Sequence, residues 1–149
     1  MNPHDRKFAD MAITYKTDTD GVDWALMRQT LIDDDFDNFR TPKQYQLSFE
    51  NSAAVVIAYD GDAIIGTARM LSDGVCNAYV VDVWTHSRLR NQGIARTMMQ
   101  MLESKAQGQH VSLWTSSMPE FYERIGYRRS ADGILFEKVV GEWLQNDTR

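Results

Sequence analysis

The clearest chemical pattern in the sequence is a short polar stretch, Arg88 to Ala95, that follows an apolar run near the middle of the chain. Two arginines, Arg88 and Arg90, precede Gly93, and an amphipathic helical pattern begins at that glycine. The first amides of a helix have no partner inside the helix and carry about half a positive charge, so they suit phosphate oxygens. Successive amides in such a turn can also form an anion-binding nest. We therefore predict a phosphate-binding turn, with a simple turn beside solvated arginines as the alternative.

Two other phosphate-binding patterns are missing from the sequence. A P-loop requires G-x-x-x-x-G-K-[ST], and a dinucleotide-binding fold is marked by G-x-G-x-x-G. Neither pattern occurs, so both classes are excluded as explanations of the turn.

Two motifs, at Arg90 to Ala95 and at Phe121 to Tyr127, resemble the signatures of the GCN5-related N-acetyltransferase (GNAT) superfamily. The stretch Arg90-Asn91-Gln92-Gly93-Ile94-Ala95 resembles the family signature R/Q-x-x-G-x-G/A, which lies between the fourth strand and a long helix. Downstream, Phe121-Tyr122-Glu123-Arg124-Ile125-Gly126-Tyr127 resembles F-Y-x-x-x-G-F/Y. Ser87 stands where the family often has proline, and Ala95 stands where it often has a second glycine. Neither departure puts a role in doubt.

The resemblance implies an acyltransferase that binds acetyl-coenzyme A (acetyl-CoA) as a co-substrate and uses no metal. An amine attacks the thioester directly, without an acyl-enzyme. Main-chain groups of Val83 and Thr85 would hold the pantetheine arm, and a strand amide near Val83 would stabilise the oxyanion. The residues expected to hold the diphosphate are Arg88, Arg90, Asn91, Gln92, Gly93, Ile94 and Ala95.

Tyr122 matches the family tyrosine that lies beside the sulfur and protonates the departing thiolate. A phenol with a pKa near 10 can protonate a thiolate whose thiol has a pKa of about 8.5 only with help from geometry. The alternative is a tyrosine that only packs or forms a hydrogen bond in the core.

Asp82 is the best single candidate for the base that removes the proton of the attacking amine. An acidic residue inside the apolar run Tyr79 to Trp84 must face either a partner or a cavity. A structural carboxylate, satisfied by the backbone or by an arginine, is the open alternative. Cys76 has no histidine among its sequence neighbours, which favours packing over a nucleophilic role.

The elements that must position these residues are predicted in the order β-α-α-β-β-β-α-β-α-β-β. This order indicates an α+β fold with a mixed, mostly antiparallel sheet of about six to seven strands, flanked by about four helices. A long strand pattern runs from Val75 to Thr85 and leads into the phosphate-binding turn. Asp60-Gly61-Asp62 predicts a hairpin before it, and Asp132-Gly133 predicts another near the end of the chain.

Helix starts are predicted from capping residues. Asp20 precedes the first helix, and Thr41-Pro42 precedes a second that runs to about Glu50. Ser117 and Glu120 have capping-box spacing before a later helix. The acidic run Asp33 to Asp37 is read as a solvated helix end or, alternatively, as a surface that attracts a cationic acceptor.

Composition limits the classes of protein that the chain can belong to. A length of 149 residues favours one domain, which we place at residues 12–140, after a flexible leader at 1–11 and before a C-terminal tail at 141–149. A net charge of -5 argues against nucleic acid as a partner. The sequence has a single cysteine and lacks both a signal core and a membrane-spanning run, so we expect a cytoplasmic protein.

The predicted function is therefore transfer of an acetyl group from acetyl-CoA to a primary amine on a small molecule or a peptide. The alternative is a non-catalytic module of the same fold that senses acyl-CoA or binds another protein. The sequence does not identify the acceptor, and it leaves both a monomer and a homodimer open.

Overall fold

The computed structural model describes residues 12–36, 39–131 and 135–142. Its strands and helices occur in the predicted order, which confirms the fold class. The elements are β1 (Ile13–Lys16), α1 (Trp24–Asp33), α2 (Pro42–Glu50), β2 (Ala54–Asp60), β3 (Ala63–Ser72), β4 (Asn77–Thr85), α3 (Ile94–Glu103), β5 (His110–Trp114), α4 (Pro119–Arg124), β6 (Arg128–Arg129) and β7 (Leu135–Val139). A short 3-10 helix, Ser87–Leu89, connects β4 to the predicted phosphate-binding turn.

One sheet contains all seven described strands, in the order β1-β2-β3-β4-β5-β7-β6. Only β4 and β5 are parallel neighbours within it, because the chain crosses over through α3 between them. The other neighbouring pairs are antiparallel. The sheet is therefore mixed and mostly antiparallel, as predicted.

Helices cover both faces of this sheet, and β2 shows how one strand serves two cores. Val56 and Ala58 pack in a cluster with residues of α3, whereas Val55 and Ile57 pack with residues of α1 and α2. Alternate side chains of a strand point to opposite faces, so a run of consecutive apolar residues is buried on both sides. We call the first cluster the α3-side core and the second the α2-side core.

The helix starts agree with the sequence in part. The predicted start of α2 at Thr41-Pro42 is confirmed, and Thr41 and Gln44 also form a capping box there. The first helix is capped by Asp23 rather than Asp20, because the Asp23 carboxylate accepts the Leu26 amide.

The predicted capping box at the start of α4 is not formed. The cap residue is Met118, whose amide donates to the Thr115 hydroxyl, and Ser117 does not bond the helix. The predicted turn at Asp132-Gly133 and the leader at 1–11 lie outside the described residues, as do residues 143–149 of the tail.

Gly66 allows α3 to lie close to β3. A Cβ atom at this position would lie 3.1 Å from Met98 Cε, 3.2 Å from the Trp84 carbonyl oxygen and 3.3 Å from Ala58 Cβ. We predict that Gly66→Ala lowers the free energy of unfolding by about 1 to 3 kcal/mol, because an added methyl in a packed core forces its neighbours apart. Urea denaturation followed by circular dichroism measures the change, and an unaltered midpoint would contradict the packing described.

Candidate active site

A β-bulge interrupts β4 at Asp82. Arg69 of β3 pairs with Val81, whereas Thr67 pairs with Trp84, so two residues of β4 lie opposite one residue of β3. Asp82 has a φ of 56°, in the left-handed region that few residues other than glycine, asparagine and aspartate adopt. A bulge of this kind bends the strand and leaves part of its ladder unpaired.

The bulge also changes which core the side chains of β4 enter. Before it, Ala78 and Val80 pack in the α3-side core, whereas after it Trp84 packs in the α2-side core. A regular strand would have directed all three side chains to the same face, since they are separated by even numbers of residues. The extra residue at the bulge therefore lets one strand contribute to both cores.

Two arginines hold the Asp82 side chain. Arg40 donates to both carboxylate oxygens, from Nη1 to Oδ2 at 2.7 Å and from Nη2 to Oδ1 at 2.8 Å. Arg69 Nε donates to Oδ2 at 2.6 Å. The two guanidinium groups lie over the rings of Tyr45 and Phe49 in α2, at 4.2 and 5.8 Å from the ring centroids.

This environment keeps Asp82 ionised. Burial by itself would raise the pKa of Asp82, but the hydrogen bonds and charges of Arg40 and Arg69 outweigh it and hold the pKa below its ordinary value. Both carboxylate oxygens already accept hydrogen bonds, and a carboxylate with a lowered pKa is a weak base. Of the two roles that the sequence leaves open, the geometry favours the structural carboxylate over the general base.

Among the described residues, the edge of β4 that faces β5 is unpaired over its second half. The two strands pair only from Asn77 to Tyr79 on β4 and from His110 to Ser112 on β5. Past Tyr79, no strand in the described part of the chain pairs with β4 on this side. Val83 and Thr85, which we expected to hold the pantetheine arm, lie on this stretch of β4. Unpaired main-chain groups at a strand edge can bond an extended ligand as they would another strand.

The predicted phosphate-binding turn follows directly after β4 and the 3-10 helix. Leu89 and Ile94 are buried at its two ends, whereas residues 90–93 between them are exposed. The two apolar anchors fix where the chain enters and leaves the turn. Asn91 and Gly93 have positive φ values, 63° and 79°, so the turn depends on two residue types that tolerate this region.

The amides of this turn are available to a ligand. Within the described ranges, the amides of residues 91–96 donate no hydrogen bond, and the first backbone bond of α3 is from Thr97 to the Gly93 carbonyl. Gly93 has no side-chain cap, and a Cβ atom placed on it would meet open space. The turn thus presents several unpaired donors at the positive end of a helix.

The side chains around the turn have different surroundings. Arg90 is half exposed, and its Nε donates a hydrogen bond to the Thr85 carbonyl oxygen at 3.4 Å. The Arg88 amide donates to Nδ1 of His86. The Thr85 hydroxyl oxygen is buried and has no partner among the described residues, and Val83 packs against the α3-side core.

Tyr122 lies in α4 and belongs to the same α3-side core as Val80 of β4. Its ring contacts those of Phe121, Tyr127 and Phe136, with centroids 4.9 to 6.0 Å apart. Only 6% of the residue is exposed, and its hydroxyl makes no hydrogen bond within residues 12–36, 39–131 and 135–142. Burial raises the pKa of Tyr122 to about 12, so the hydroxyl keeps its proton at neutral pH.

Three side chains that shape the site were not predicted from the sequence: Asp34, Arg40 and Arg69. A signal existed for Arg69, because it is the one charged residue in the apolar strand β3 and faces the one acidic residue of β4. The acidic run did not indicate which of its carboxylates would be buried, so Asp34 could not be distinguished from its neighbours by sequence. That side chain is only 6% exposed and accepts hydrogen bonds from Trp84 and Ser87, so the reading of the run as a solvated helix end is wrong at this position.

Neither a cluster of metal-ligating side chains nor a membrane-spanning helix is found among the described residues. These residues contain no group of three or more histidine, cysteine or acidic side chains arranged to hold a metal ion. In the same ranges, no helix combines the length and apolar character needed to cross a bilayer.

The site lies inside the region that matches a known family. The family model described as an acetyltransferase (GNAT) domain matches residues 51–129, which is more than half of the chain. This region includes the bulge, the unpaired edge of β4, the predicted phosphate-binding turn and Tyr122. The chain belongs to the GNAT acetyltransferase family, as the two sequence signatures predicted.

Solved structures share the same fold. A candidate acetyltransferase from Deinococcus radiodurans R1 is 26% identical, with a TM-score of 0.69 over 84% of this chain and 87% of that chain. A candidate GNAT-family acetyltransferase from Xanthomonas campestris pv. campestris is 23% identical, with a TM-score of 0.68 over 80% and 87%. A GNAT-family acetyltransferase from Streptococcus pneumoniae TIGR4 is 22% identical, with a TM-score of 0.63 over 79% and 89%. A comparison with curated proteins gives no match.

We predict that Asp82→Asn lowers the free energy of unfolding by about 3 kcal/mol or more at neutral pH, because Arg40 and Arg69 lose their charged partner. Asparagine tolerates a positive φ, so backbone strain is not the cause. The folded-state pKa of Asp82 is lowered, so its stabilisation is present above the unfolded value of about 3.9 and is lost as the pH falls through the folded value.

Thermal unfolding measured across this pH range tests both statements. The difference between wild type and Asp82→Asn should shrink in acid, and the exposed Asp62→Asn serves as the control for loss of charge alone. Equal stability of wild type and Asp82→Asn at neutral pH would show that the two arginines do not depend on this carboxylate.

Proposed function

We propose that the protein transfers an acetyl group from acetyl-CoA to a primary amine. The observation that carries this proposal is the row of unpaired amides at residues 91–96, which follows directly on the unpaired edge of β4. A ligand with an extended amide-containing arm and a diphosphate matches the two features in that order. Coenzyme A has both parts, and membership of the GNAT family supports the choice.

In this proposal the turn binds the diphosphate through main-chain amides of Asn91 to Ala95, while Arg88 and Arg90 supply charge from its first half. Such amides need no reorganisation when an anion arrives, because the positive φ values of Asn91 and Gly93 already fix their direction. The main chain of Val83 and Thr85 holds the pantetheine arm. A strand amide near Val83 donates to the carbonyl oxygen, where negative charge develops as the amine attacks.

Tyr122 is the proposed acid. Its hydroxyl has no partner among the described residues and retains its proton up to high pH, so it can donate to the sulfur as the carbon–sulfur bond breaks. Because burial makes the phenol a weaker acid than the departing thiol, this donation must accompany bond cleavage rather than precede it. The same raised pKa excludes Tyr122 as the base at neutral pH.

For Asp82 we propose a positioning role. Its ionised side chain holds the bulge from the α2 side, and the bulge determines where the main chain of Val83 lies. The attacking amine then loses its proton to solvent rather than to this carboxylate, so the rate should follow the titration of the amine. The acceptor remains a small-molecule or peptide amine, and we expect it to contact the region between Val22 and Ser52.

We predict that Tyr122→Phe lowers kcat by about 10²-fold to 10³-fold, because proton transfer by a positioned acid contributes on this scale. The KM for acetyl-CoA should change little, since the phenol acts on the departing sulfur rather than on the bound substrate. Release of free thiol from acetyl-CoA, with a panel of primary amines as acceptors, measures the rate. Wild-type activity should not fall between about pH 7 and about pH 10, because the Tyr122 proton is retained there.

The matched control is Tyr15→Phe, which removes a tyrosine hydroxyl on β1 at the far edge of the sheet. It should leave the rate unchanged. Full activity of Tyr122→Phe would remove the acid from the mechanism. If the wild-type protein binds coenzyme A but turns over no amine, the protein is instead the non-catalytic acyl-CoA-sensing module.

Gly93→Ala tests the turn itself, with Gly74→Ala as its matched control. Both glycines have a φ of 79°, and a Cβ atom on either would meet open space, so the two substitutions carry a similar backbone strain. Only the methyl group on Gly93 would enter the space proposed for the diphosphate.

We predict at least a tenfold loss of affinity for coenzyme A in Gly93→Ala, about 1.4 kcal/mol or more, and no loss in Gly74→Ala. Isothermal titration calorimetry measures both variants. Equal affinities for coenzyme A in these two variants would place the diphosphate elsewhere.

A further inference from the structure

We infer that Asp34 is a positioning residue for the phosphate-binding turn, which it fixes to the end of α1. This inference rests on the proposed function, because the turn has a role only if it binds an anionic substrate. Asp34 lies outside both family signatures. Its carboxylate accepts hydrogen bonds and so cannot donate one to a bound anion. Its effect on a ligand would act through Ser87 and the chain that leads into the turn.

The contacts of the Asp34 carboxylate support this role. Oδ2 accepts a hydrogen bond from the indole Nε1 of Trp84 at 2.9 Å and another from the Ser87 amide at 3.0 Å. Oδ1 accepts the Ser87 hydroxyl. A carboxylate that accepts several such bonds forms a stronger and better-directed contact than a neutral acceptor. One side chain therefore ties the last part of β4 to the first residue of the 3-10 helix.

The other end of this contact is rigid. Asp34 is the C-terminal cap of α1, and its amide donates to the carbonyls of Thr30 and Leu31. Leu31 and Met27 of the same helix are buried in the α2-side core together with Trp84. The carboxylate is therefore held by a packed helix, and three residues separate its partner Ser87 from Asn91, where the unpaired amides begin.

Ser87 supplies two of the three donors to Asp34, its amide and its hydroxyl group. The family often has proline at this position, and proline has neither an amide N–H nor a hydroxyl group. In such a relative, both bonds from this residue to an aspartate would be impossible. Serine here lacks the fixed φ of proline but supplies two donors to Asp34, so the start of the turn is held by the residue that caps α1.

Electrostatics and positioning predict opposite results for removal of Asp34. Its Oδ2 lies 4.0 Å from Arg90 Nη2, so the carboxylate partly neutralises a cation at the turn. On charge alone, Asp34→Asn would strengthen the binding of a diphosphate. The positioning role predicts weaker binding, and we expect it to dominate because the carboxylate accepts three hydrogen bonds from the chain that leads into the turn, whereas its distance to Arg90 is 4.0 Å.

The test compares Asp34→Asn with Asp35→Asn. Asp35 is exposed and has a φ of 58°, which asparagine accepts, so this control removes an equal charge from the neighbouring position. Calorimetric titration measures the affinity for coenzyme A, and titration followed by NMR measures the affinity for pantetheine, which lacks the diphosphate. We expect Asp34→Asn to bind coenzyme A about tenfold more weakly, the scale of a lost charge-assisted hydrogen bond, with pantetheine binding unchanged. Asp35→Asn should bind both ligands as the wild type does.

Unchanged or tighter binding of coenzyme A by Asp34→Asn would overturn the inference, as would an equal loss for both ligands. If Asp34→Asn fails to fold, Ser87→Ala takes its place in the test, because it removes only the hydroxyl donor. It should weaken coenzyme A binding to a smaller extent and spare pantetheine, and unchanged coenzyme A binding would again overturn the inference. Wild-type protein that binds no coenzyme A would overturn the proposed function as well, so the two failures are distinguishable.

Discussion

The site depends on the ion pairs that hold Asp82 at the bulge of β4. A residue with a positive φ in the middle of a strand is stable only if its surroundings hold it there. Here two guanidinium groups hold the side chain, and the Thr67 hydroxyl donates to the Asp82 carbonyl at 3.0 Å. The pairing of β4 with β5 ends at Tyr79, just before this bulge, so, among the described residues, the edge of β4 is unpaired at the positions that follow.

The two ends of the proposed binding site therefore have different physical origins, although both lie on one continuous stretch of chain. The β4 end lies at a departure from regular strand geometry, and the turn end has the unpaired amides that any helix start leaves. Buried apolar residues fix the turn at Leu89 and Ile94, whereas polar contacts fix the bulge. Both ends bind chiefly through main-chain groups, with local charge from Arg88 and Arg90 at the turn, so a net charge of -5 does not conflict with the proposed binding of a polyanion.

The sequence predicted the element order and the turn because both follow from local patterns: apolar periodicity, turn residues and a glycine at a helix start. Features that depend on how distant elements meet were not predictable in the same way. The role of Asp82 required its pairing with Arg69 in the adjacent strand and with Arg40 from the connection between α1 and α2. The burial of Asp34 required the end of α1 to lie against Ser87, fifty-three positions along the chain. At Ser117 a local pattern was misleading. The sequence has capping-box spacing there, but in the structure the Met118 amide donates to the Thr115 hydroxyl, and Ser117 does not cap the helix.

Asp34 and Arg40 lie at the two ends of the connection between α1 and α2, and each is bonded to a different functional part of β4. Connections between helices usually tolerate added or deleted residues, because their ends can shift along the surface. This one has fixed ends, so a change in its length would be transmitted to the bulge, to the turn or to both. Substitution of residues within the connection, at constant length, would therefore alter the proposed acceptor region and leave the bulge and the turn in place.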